Sequence, residues 1–130
     1  VLKPETAATM QSMLRDVVCT GTGEQAQVKG MEIAGKTGTG YKVQSNGTYQ
    51  TDAGGRKYFA SFAGFFPASS PEVTILVSID EPDAYSRDRF GGTAAAPVFA
   101  RLVPAIMHEL GIEATGAGTG CKAGATPAGL

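Results

Sequence analysis

The chain has 130 residues, of which 42% are apolar and 18% are charged, and its formal net charge is −1. This length and apolar content suit one domain with a modest core. Its near-neutral charge without a basic cluster argues against binding to nucleic acid or to an acidic membrane surface, and it shows neither a bilayer-length apolar run nor a signal peptide.

An N-terminal helix is predicted to begin at residues 3–5, because Pro4 suits the first helical turn and Glu5 suits the positive end of the helix dipole. It should end at the Gly-Thr-Gly of residues 21–23. The spacing of one buried helical face is shown by Met10, Met13, Leu14, Val17 and Val18. We therefore expect both methionines to lie in the core.

Residues 30–40, Gly-Met-Glu-Ile-Ala-Gly-Lys-Thr-Gly-Thr-Gly, fit two motifs. Residues 30–37 satisfy the phosphate-loop pattern G-x-x-x-x-G-K-[ST], and Lys-Thr-Gly is also the strand motif of the serine acyl-transferases that react with penicillin. A phosphate loop needs a helix that starts at its lysine, whereas glycines follow Lys36 and disfavour a helix. Met-Glu-Ile-Ala alternates like a strand, so we predict a strand over residues 31–39.

Two further strands are predicted downstream. Residues 40–56 are polar and glycine-rich, which indicates a long loop or a loose hairpin extension. Residues 57–67 form a strand dense in aromatic residues, and the near-continuous apolar run at 73–79 should be a central strand covered on both faces. The short link between them predicts an antiparallel hairpin. The acidic residues 80–83 are expected to form a solvated turn rather than a metal site.

A C-terminal helix is predicted after Gly91-Gly92, with Thr93 as its N-cap and Pro97 in its first turn. Pro104 should kink or split this helix, because proline removes a backbone donor and clashes with the preceding turn. Gly111 should end it. Its apolar face is predicted to consist of Phe99, Leu102, Val103, Ile106 and Leu110.

Gly, Ala and Thr dominate residues 112–130, so we expect a flexible tail after a folded part at residues 1–111. The two cysteines, Cys19 and Cys121, lack the spacing of a metal site. Because Cys121 falls in the tail, we expect two free thiols. A disulfide outside the cytoplasm is the alternative.

The predicted order is helix, strand, loop, strand, turn, strand, helix. This order defines an α+β fold, an antiparallel β-sheet with helices packed on it. Since each helix has a single apolar stripe, both should lie on the sheet.

Six motifs occur in a fixed order along the chain: Pro4-Glu5-Thr6-Ala7, Gly21-Thr22-Gly23, Ala34-Gly35-Lys36-Thr37-Gly38-Thr39, Ser61-Phe62-Ala63-Gly64-Phe65, Asp80-Glu81-Pro82 and Gly91-Gly92-Thr93-Ala94-Ala95-Ala96-Pro97-Val98-Phe99. Together they resemble the C-terminal part of the transpeptidase domain of class B penicillin-binding proteins, over residues 1 to about 111. The resemblance implies the fold of that domain. It also implies serine acyl transfer that cross-links the D-Ala-D-Ala stem peptides of peptidoglycan, with β-lactams as substrate mimics that trap the serine.

Roles for the residues around the lysine follow from the resemblance. Lys36 would be catalytic as the cation of a proton relay, and Thr39 through an N–H in the oxyanion hole. Thr37, Gly38 and Thr39 would bind substrate, with two hydroxyls on one strand face and no side chain where the reacting carbonyl approaches. If this strand lies at a sheet edge, the substrate peptide can pair with it.

Tyr41 and Phe90 would line the rim and wall of the pocket, with ordinary packing on the sheet as the alternative for each. The resemblance implies no cofactor and no metal. The expected partners are stem peptides, β-lactams and other cell-wall synthesis proteins, and no nucleic acid.

The nucleophile motif Ser-x-x-Lys and the second motif Ser-x-Asn do not occur in the sequence. We therefore expect both motifs to lie N-terminal to Val1, and this chain alone to be inactive. By resemblance, the whole protein acts at the extracytoplasmic face of the bacterial membrane, anchored by a segment outside this sequence. The alternatives are a β-lactamase or penicillin-sensing domain of the same fold, and a non-catalytic binding or scaffold module.

Overall fold

A computed structural model describes residues 1–121, and its element order is helix, three strands, helix. Three short helical turns complete it, at Glu24–Ala26, Arg87–Arg89 and Gly91–Ala95. The strands form one antiparallel sheet in the order β1-β2-β3, and they follow one another along the chain. The bounds of the helices and strands are α1 Pro4–Thr20, β1 Ala34–Tyr41, β2 Tyr58–Phe66, β3 Val73–Asp80 and α2 Ala96–Leu110. The α+β fold predicted from the sequence is confirmed, as is the antiparallel hairpin.

One face of the sheet is covered and the other is exposed in the described part of the chain. Phe62 lies between Thr37 and Val77 in the register, and this row belongs to the covered face. The neighbouring row holds Ala63 and Leu76, and it faces outward with Leu76 66% exposed. Successive side chains therefore alternate between core and solvent, as the pleat of a strand requires.

The expectation that residues 73–79 form the central strand, covered on both faces, is wrong. β2 is central, and β3 lies at the edge of the sheet that residues 1–121 form. Thr74, Leu76 and Ser78 are exposed, while Val77 is buried. The sequence of this run is mostly apolar, yet two of its three outward-facing residues, Thr74 and Ser78, are polar. This alternation is typical of a strand with one solvent-exposed face.

Three phenylalanine rings form the centre of the core. Phe99 of α2 contacts Phe62 and Phe66 of β2 with ring centroids 4.9 Å and 6.2 Å apart, in edge-to-face geometry. All three are fully buried. Aromatic pairs of this geometry contribute beyond their buried area, so this cluster fixes α2 on the covered face.

The apolar face of α2 is narrower than predicted. Val103 is buried and Ile106 packs on the core, whereas Leu102 and Leu110 are 40% and 62% exposed. Pro104 does not split α2, which runs unbroken from Ala96 to Leu110. Gly111 ends it in the left-handed conformation, as predicted.

Thr93 is not the N-cap of this helix. A wide π-type turn spans Gly91–Ala95 and leads into α2, and Ala95 occupies the N-cap position. The Thr93 hydroxyl instead donates back to carbonyl oxygens of the preceding loop, a common alternative for short polar side chains. Pro97 lies in the first turn, as predicted.

The methionines of α1 are not core residues. Met10 and Met13 are 43% and 57% exposed, while Val18 near the end of α1 is buried. α1 contacts β1, and Val18 is the one residue of the helix that is buried. The apolar spacing therefore located the helix correctly but overestimated the length of its buried face.

Residues 112–121 pack against the segment before β1 rather than forming a flexible tail. The Thr115 N–H donates to the Gly30 carbonyl and the Gly30 N–H donates to the Gly118 carbonyl, both at 2.8 Å. The Glu32 N–H donates to Thr115 Oγ1, also at 2.8 Å. Backbone bonds do most of this packing, so a composition of Gly, Ala and Thr did not reveal it. Residues 122–130 lie outside the described residues.

Cys19 and Cys121 form a disulfide, which corrects the expectation of two free thiols. Cys19 lies in the last turn of α1, and Cys121 is the last described residue of the packed tail. The prediction failed because it depended on the tail being flexible. The folded tail brings the two residues together.

Candidate active site

Lys36 lies inside a strand, which excludes the phosphate-loop interpretation. Residues 34–41 form β1, whereas a phosphate loop would have a helix beginning at this lysine. The strand begins at Ala34, three residues later than predicted, and Met31 instead forms an isolated bridge with Val28. β1 pairs only with β2 among the described residues, so its other edge has no strand beside it.

A cavity of about 440 Å³ lies against β1, between the segment after α1 and the turn before α2. It brings together three of the predicted site residues, Thr37, Thr39 and Phe90. The other lining residues are Gly21, Thr22, Glu24, Gln25, Gly92 and Thr93. Lys36, Gly38 and Tyr41, which the sequence also suggested, do not line it.

The two threonine hydroxyls are held by groups from outside β1. Thr22 Oγ1 lies 2.8 Å from Thr37 Oγ1. The Gly91 N–H donates to Thr39 Oγ1 at 3.0 Å. The sequence alone did not indicate a site role for Thr22 or Gly91, although both lie within the motifs that carried the resemblance. Their contacts depend on the tertiary fold.

Lys36 is exposed, and its ammonium group lies against the next residue of the strand, Thr37. Nζ donates to the Thr37 carbonyl at 2.9 Å and to Thr37 Oγ1 at 3.3 Å. The positive charge therefore lies directly beside a hydroxyl that lines the cavity. This arrangement can stabilise an anion bound at the Thr37 hydroxyl.

Close packing requires a glycine at position 91, where the neighbours are backbone atoms, whereas at position 38 the close neighbour is the rotatable Ser61 hydroxyl. A Cβ added to Gly38 would lie 2.5 Å from Ser61 Oγ. A Cβ added to Gly91 would lie 2.5 Å from the carbonyl oxygen of Gly38 and would also collide with the Ser61 carbonyl. Both distances are below any normal contact. The backbone before α2 can therefore rest directly on β1 and bring its N–H to Thr39.

A row of aromatic rings connects the far end of β1 to the cavity wall. Tyr41 contacts Tyr58 with centroids 5.4 Å apart, and Tyr58 contacts Phe90 at 6.0 Å. The Arg89 guanidinium lies 4.6 Å from the Phe90 ring and 5.6 Å from Tyr58. Cation–π contacts of this kind hold Phe90 in place. Tyr41 thus reaches the cavity wall only through Tyr58.

Within residues 1–121, no group of three or more His, Cys, Asp or Glu side chains is placed to hold a metal ion. No helix in the same part of the chain is long and apolar enough to cross a membrane.

The antiparallel sheet carries Lys-Thr-Gly-Thr on its edge strand, beside a cavity lined by Thr37 and Thr39. The sequence profile of the penicillin-binding protein transpeptidase domain matches residues 1–104. The chain belongs to the penicillin-binding protein transpeptidase family.

Curated relatives agree with this assignment. Stage V sporulation protein D of Bacillus subtilis is 36% identical over 113 residues, which cover 87% of this chain and 16% of that protein. Penicillin-binding protein PbpB of Mycolicibacterium smegmatis is 41% identical over 117 residues, covering 84% of this chain and 17% of that protein. The chain thus spans about a sixth of the length of these relatives.

Solved structures show the same fold. The transpeptidase domain of penicillin-binding protein 3 from Burkholderia pseudomallei superposes with a TM-score of 0.73 at 35% identity, over 88% of this chain and 33% of that one. Penicillin-binding protein 3 of Mycobacterium tuberculosis, complexed with ampicillin, gives a TM-score of 0.68 at 32% identity, over 85% and 25%.

Proposed function

We propose that this chain is part of a peptidoglycan D,D-transpeptidase and supplies the Lys-Thr-Gly side of its substrate cleft. The observation that carries the proposal is the grouping of Lys36 with the hydroxyls of Thr37 and Thr39 on an open sheet edge. Relatives named probable peptidoglycan D,D-transpeptidase PenA, from Neisseria, are 35% identical over 88% of this chain.

The reaction proceeds by acyl transfer. A serine hydroxyl from the N-terminal remainder of the protein attacks the penultimate D-Ala carbonyl, an acyl-enzyme ester forms, and the terminal D-Ala leaves with the serine proton. An amine of a neighbouring stem peptide then displaces the serine and forms the cross-link. A β-lactam carbonyl is attacked in the same way, but its amine leaving group stays tethered to the acyl group.

The residues of β1 act on this reaction through charge and hydrogen bonds. Lys36 supplies a fixed positive charge near the nucleophile, and the two threonine hydroxyls bind the terminal carboxylate of the substrate. The two-residue repeat of a strand turns the Thr39 N–H toward the same edge as the Thr37 carbonyl. There it donates to the oxyanion, and losing such a donor typically costs about 2.7–4 kcal/mol of transition-state stabilisation.

The free edge of β1 also accepts the substrate backbone as an added strand. Gly38 keeps the approach of the reacting carbonyl clear, while Phe90 forms a wall and Tyr41 lies at the outer rim. In this proposal the protein works at the extracytoplasmic face of the membrane, held by a segment outside this sequence. Its remaining partners are the stem peptides and other cell-wall synthesis proteins.

Fluorescent penicillin labelling of the full-length protein tests the proposal. The wild type should acquire covalent label, while Lys36→Ala should lose at least about a hundredfold in labelling rate, the scale of one lost catalytic group. Lys29→Ala is the matched control, because Lys29 is exposed and precedes the strand. A full-length protein that takes up no label would refute the proposal.

Two further outcomes separate the alternatives. Rapid hydrolysis of a chromogenic cephalosporin by the full-length protein would identify a β-lactamase instead. Unchanged labelling in Lys36→Ala would show that the Lys-Thr-Gly strand has no chemical role in acylation.

A further inference from the structure

We propose that Thr22 is a positioning residue that orients the Thr37 hydroxyl as a hydrogen-bond donor toward the substrate carboxylate. This inference rests on the proposed function and adds a residue outside the Lys-Thr-Gly strand to it. The supporting contact joins Thr22 Oγ1 and Thr37 Oγ1 at 2.8 Å, and both residues line the cavity.

Either hydroxyl can donate in this bond, and we assign the donor role to Thr22. An ammonium group only donates, so the Lys36 contact at 3.3 Å occupies one lone pair of Thr37 Oγ1. A threonine hydroxyl has one proton and two lone pairs. When Thr22 donates to the second lone pair, the single proton of Thr37 is free and must point elsewhere, toward the cavity.

The Thr39 hydroxyl is oriented in the same way, by a group that can only donate a hydrogen bond. A backbone N–H only donates, so the bond from Gly91 makes Thr39 Oγ1 an acceptor and frees its proton. Thr37 and Thr39 are two residues apart and share one face of β1. Two free hydroxyl donors on one face can bind the two oxygens of a carboxylate.

The backbone on both sides holds Thr22 in place. Gly23 donates its N–H to the Val17 carbonyl at 2.9 Å, which ties the segment after α1 to the helix. Gly92 packs so closely on the Thr22 carbonyl that a Cβ there would collide with it. The backbone at Thr22 is therefore held in place without substrate, and its hydroxyl is held by the bond to Thr37.

Acylation rates of the full-length protein test the inference with two probes, benzylpenicillin and its methyl ester, which lacks the carboxylate charge. Thr22→Ala should slow acylation by benzylpenicillin about three- to tenfold, the size of one net hydrogen bond, and leave the ester unaffected. Thr22→Ser keeps the hydroxyl and should restore the rate. Thr20→Ala is the control, because the Thr20 hydroxyl bonds to its own helix at Asp16.

A second measurement separates orientation from direct binding and from misfolding. In a Thr37→Val background, Thr22→Ala should cause no further loss, because Thr22 acts only through Thr37. A further loss of the same size would overturn the inference, as would an equal slowing of both probes by Thr22→Ala alone. If the wild type is not acylated at all, the proposed function fails and the inference fails with it.

Discussion

The disulfide between Cys19 and Cys121 joins the last turn of α1 to a residue 102 positions further along the chain. Arg15, one turn earlier in α1, pairs with the Glu32 carboxylate at 3.1 Å and also donates to the Gly120 carbonyl. The end of the tail is thus fixed to α1 by a covalent bond and by a charged side chain. Since α1 leads directly to Thr22, the tail also supports one side of the cavity.

Removal of this disulfide should destabilise the domain. In the chain-entropy view, a cross-link that closes a loop of about 100 residues contributes up to about 4.7 kcal/mol, and measured values are often smaller. We expect Cys19→Ser to lower the free energy of unfolding by about 2–4 kcal/mol in urea denaturation of the full-length protein. Cys121→Ser should give the same loss, and the double variant no more than either one. A dithiol reductant that destabilises the double variant as much as the wild type would contradict this account.

Local sequence patterns were sufficient to predict the strands and part of the candidate site. A run dense in aromatic residues, a near-continuous apolar run and the short link between them placed the hairpin of β2 and β3 within one residue of the observed bounds. The two-residue period of a strand put Thr37 and Thr39 on one face, and both line the cavity. These features depend on residues close together in the sequence, so they can be predicted without knowledge of the tertiary structure.

Contacts between residues far apart in the sequence could not be predicted from local patterns. Thr22 meets Thr37 from 15 positions away and Gly91 meets Thr39 from 52. The disulfide and the packed tail depend on bonds to the backbone near Gly30, which no apolar pattern marks. The exposure of Met10 and Met13 likewise depends on which part of α1 is packed against the rest of the fold, which its apolar spacing does not reveal.

Substitution of Gly91 should disturb the fold and the site together. A Cβ at Gly91 would press on the backbones of Gly38 and Ser61, so Gly91→Ala should cost about 1–3 kcal/mol in thermal or urea denaturation. The shift should also withdraw the Gly91 N–H from Thr39 and slow acylation by benzylpenicillin. Gly40→Ala on the same strand is the control, because nothing lies within 4 Å of the added atom. Equal stability and equal acylation of the two variants would show that this close packing is unimportant.

An ion cluster ties the loop after β1 to the end of β3, and it should make stability depend on pH and salt. Hydrogen bonds from Lys42 and Lys57 lower the pKa of Glu81 below its ordinary value of 4.5. Hydrogen bonds to Asp80 and Glu81 raise the pKa of Lys42 above 10.5. The stabilisation by Glu81 is therefore complete above pH 4.5 and lost as the pH falls through its lowered pKa, while that by Lys42 is complete below pH 10.5 and lost as the pH rises through its raised pKa.

Glu81→Gln should therefore lower the urea midpoint slightly at neutral pH and low salt, because the ion cluster lies at the surface, with Glu81 and Lys57 exposed and Lys42 half-buried. The difference from wild type should disappear once the medium is acidic enough to protonate Glu81 in the folded protein, and should shrink in about 1 M salt, where the screening length falls to about 3 Å. Glu72→Gln is the matched control, because Glu72 is exposed and forms no ion pair within residues 1–121. A midpoint difference for Glu81→Gln that persists unchanged in strong acid or high salt would mean that the side chain stabilises the turn by packing rather than by charge.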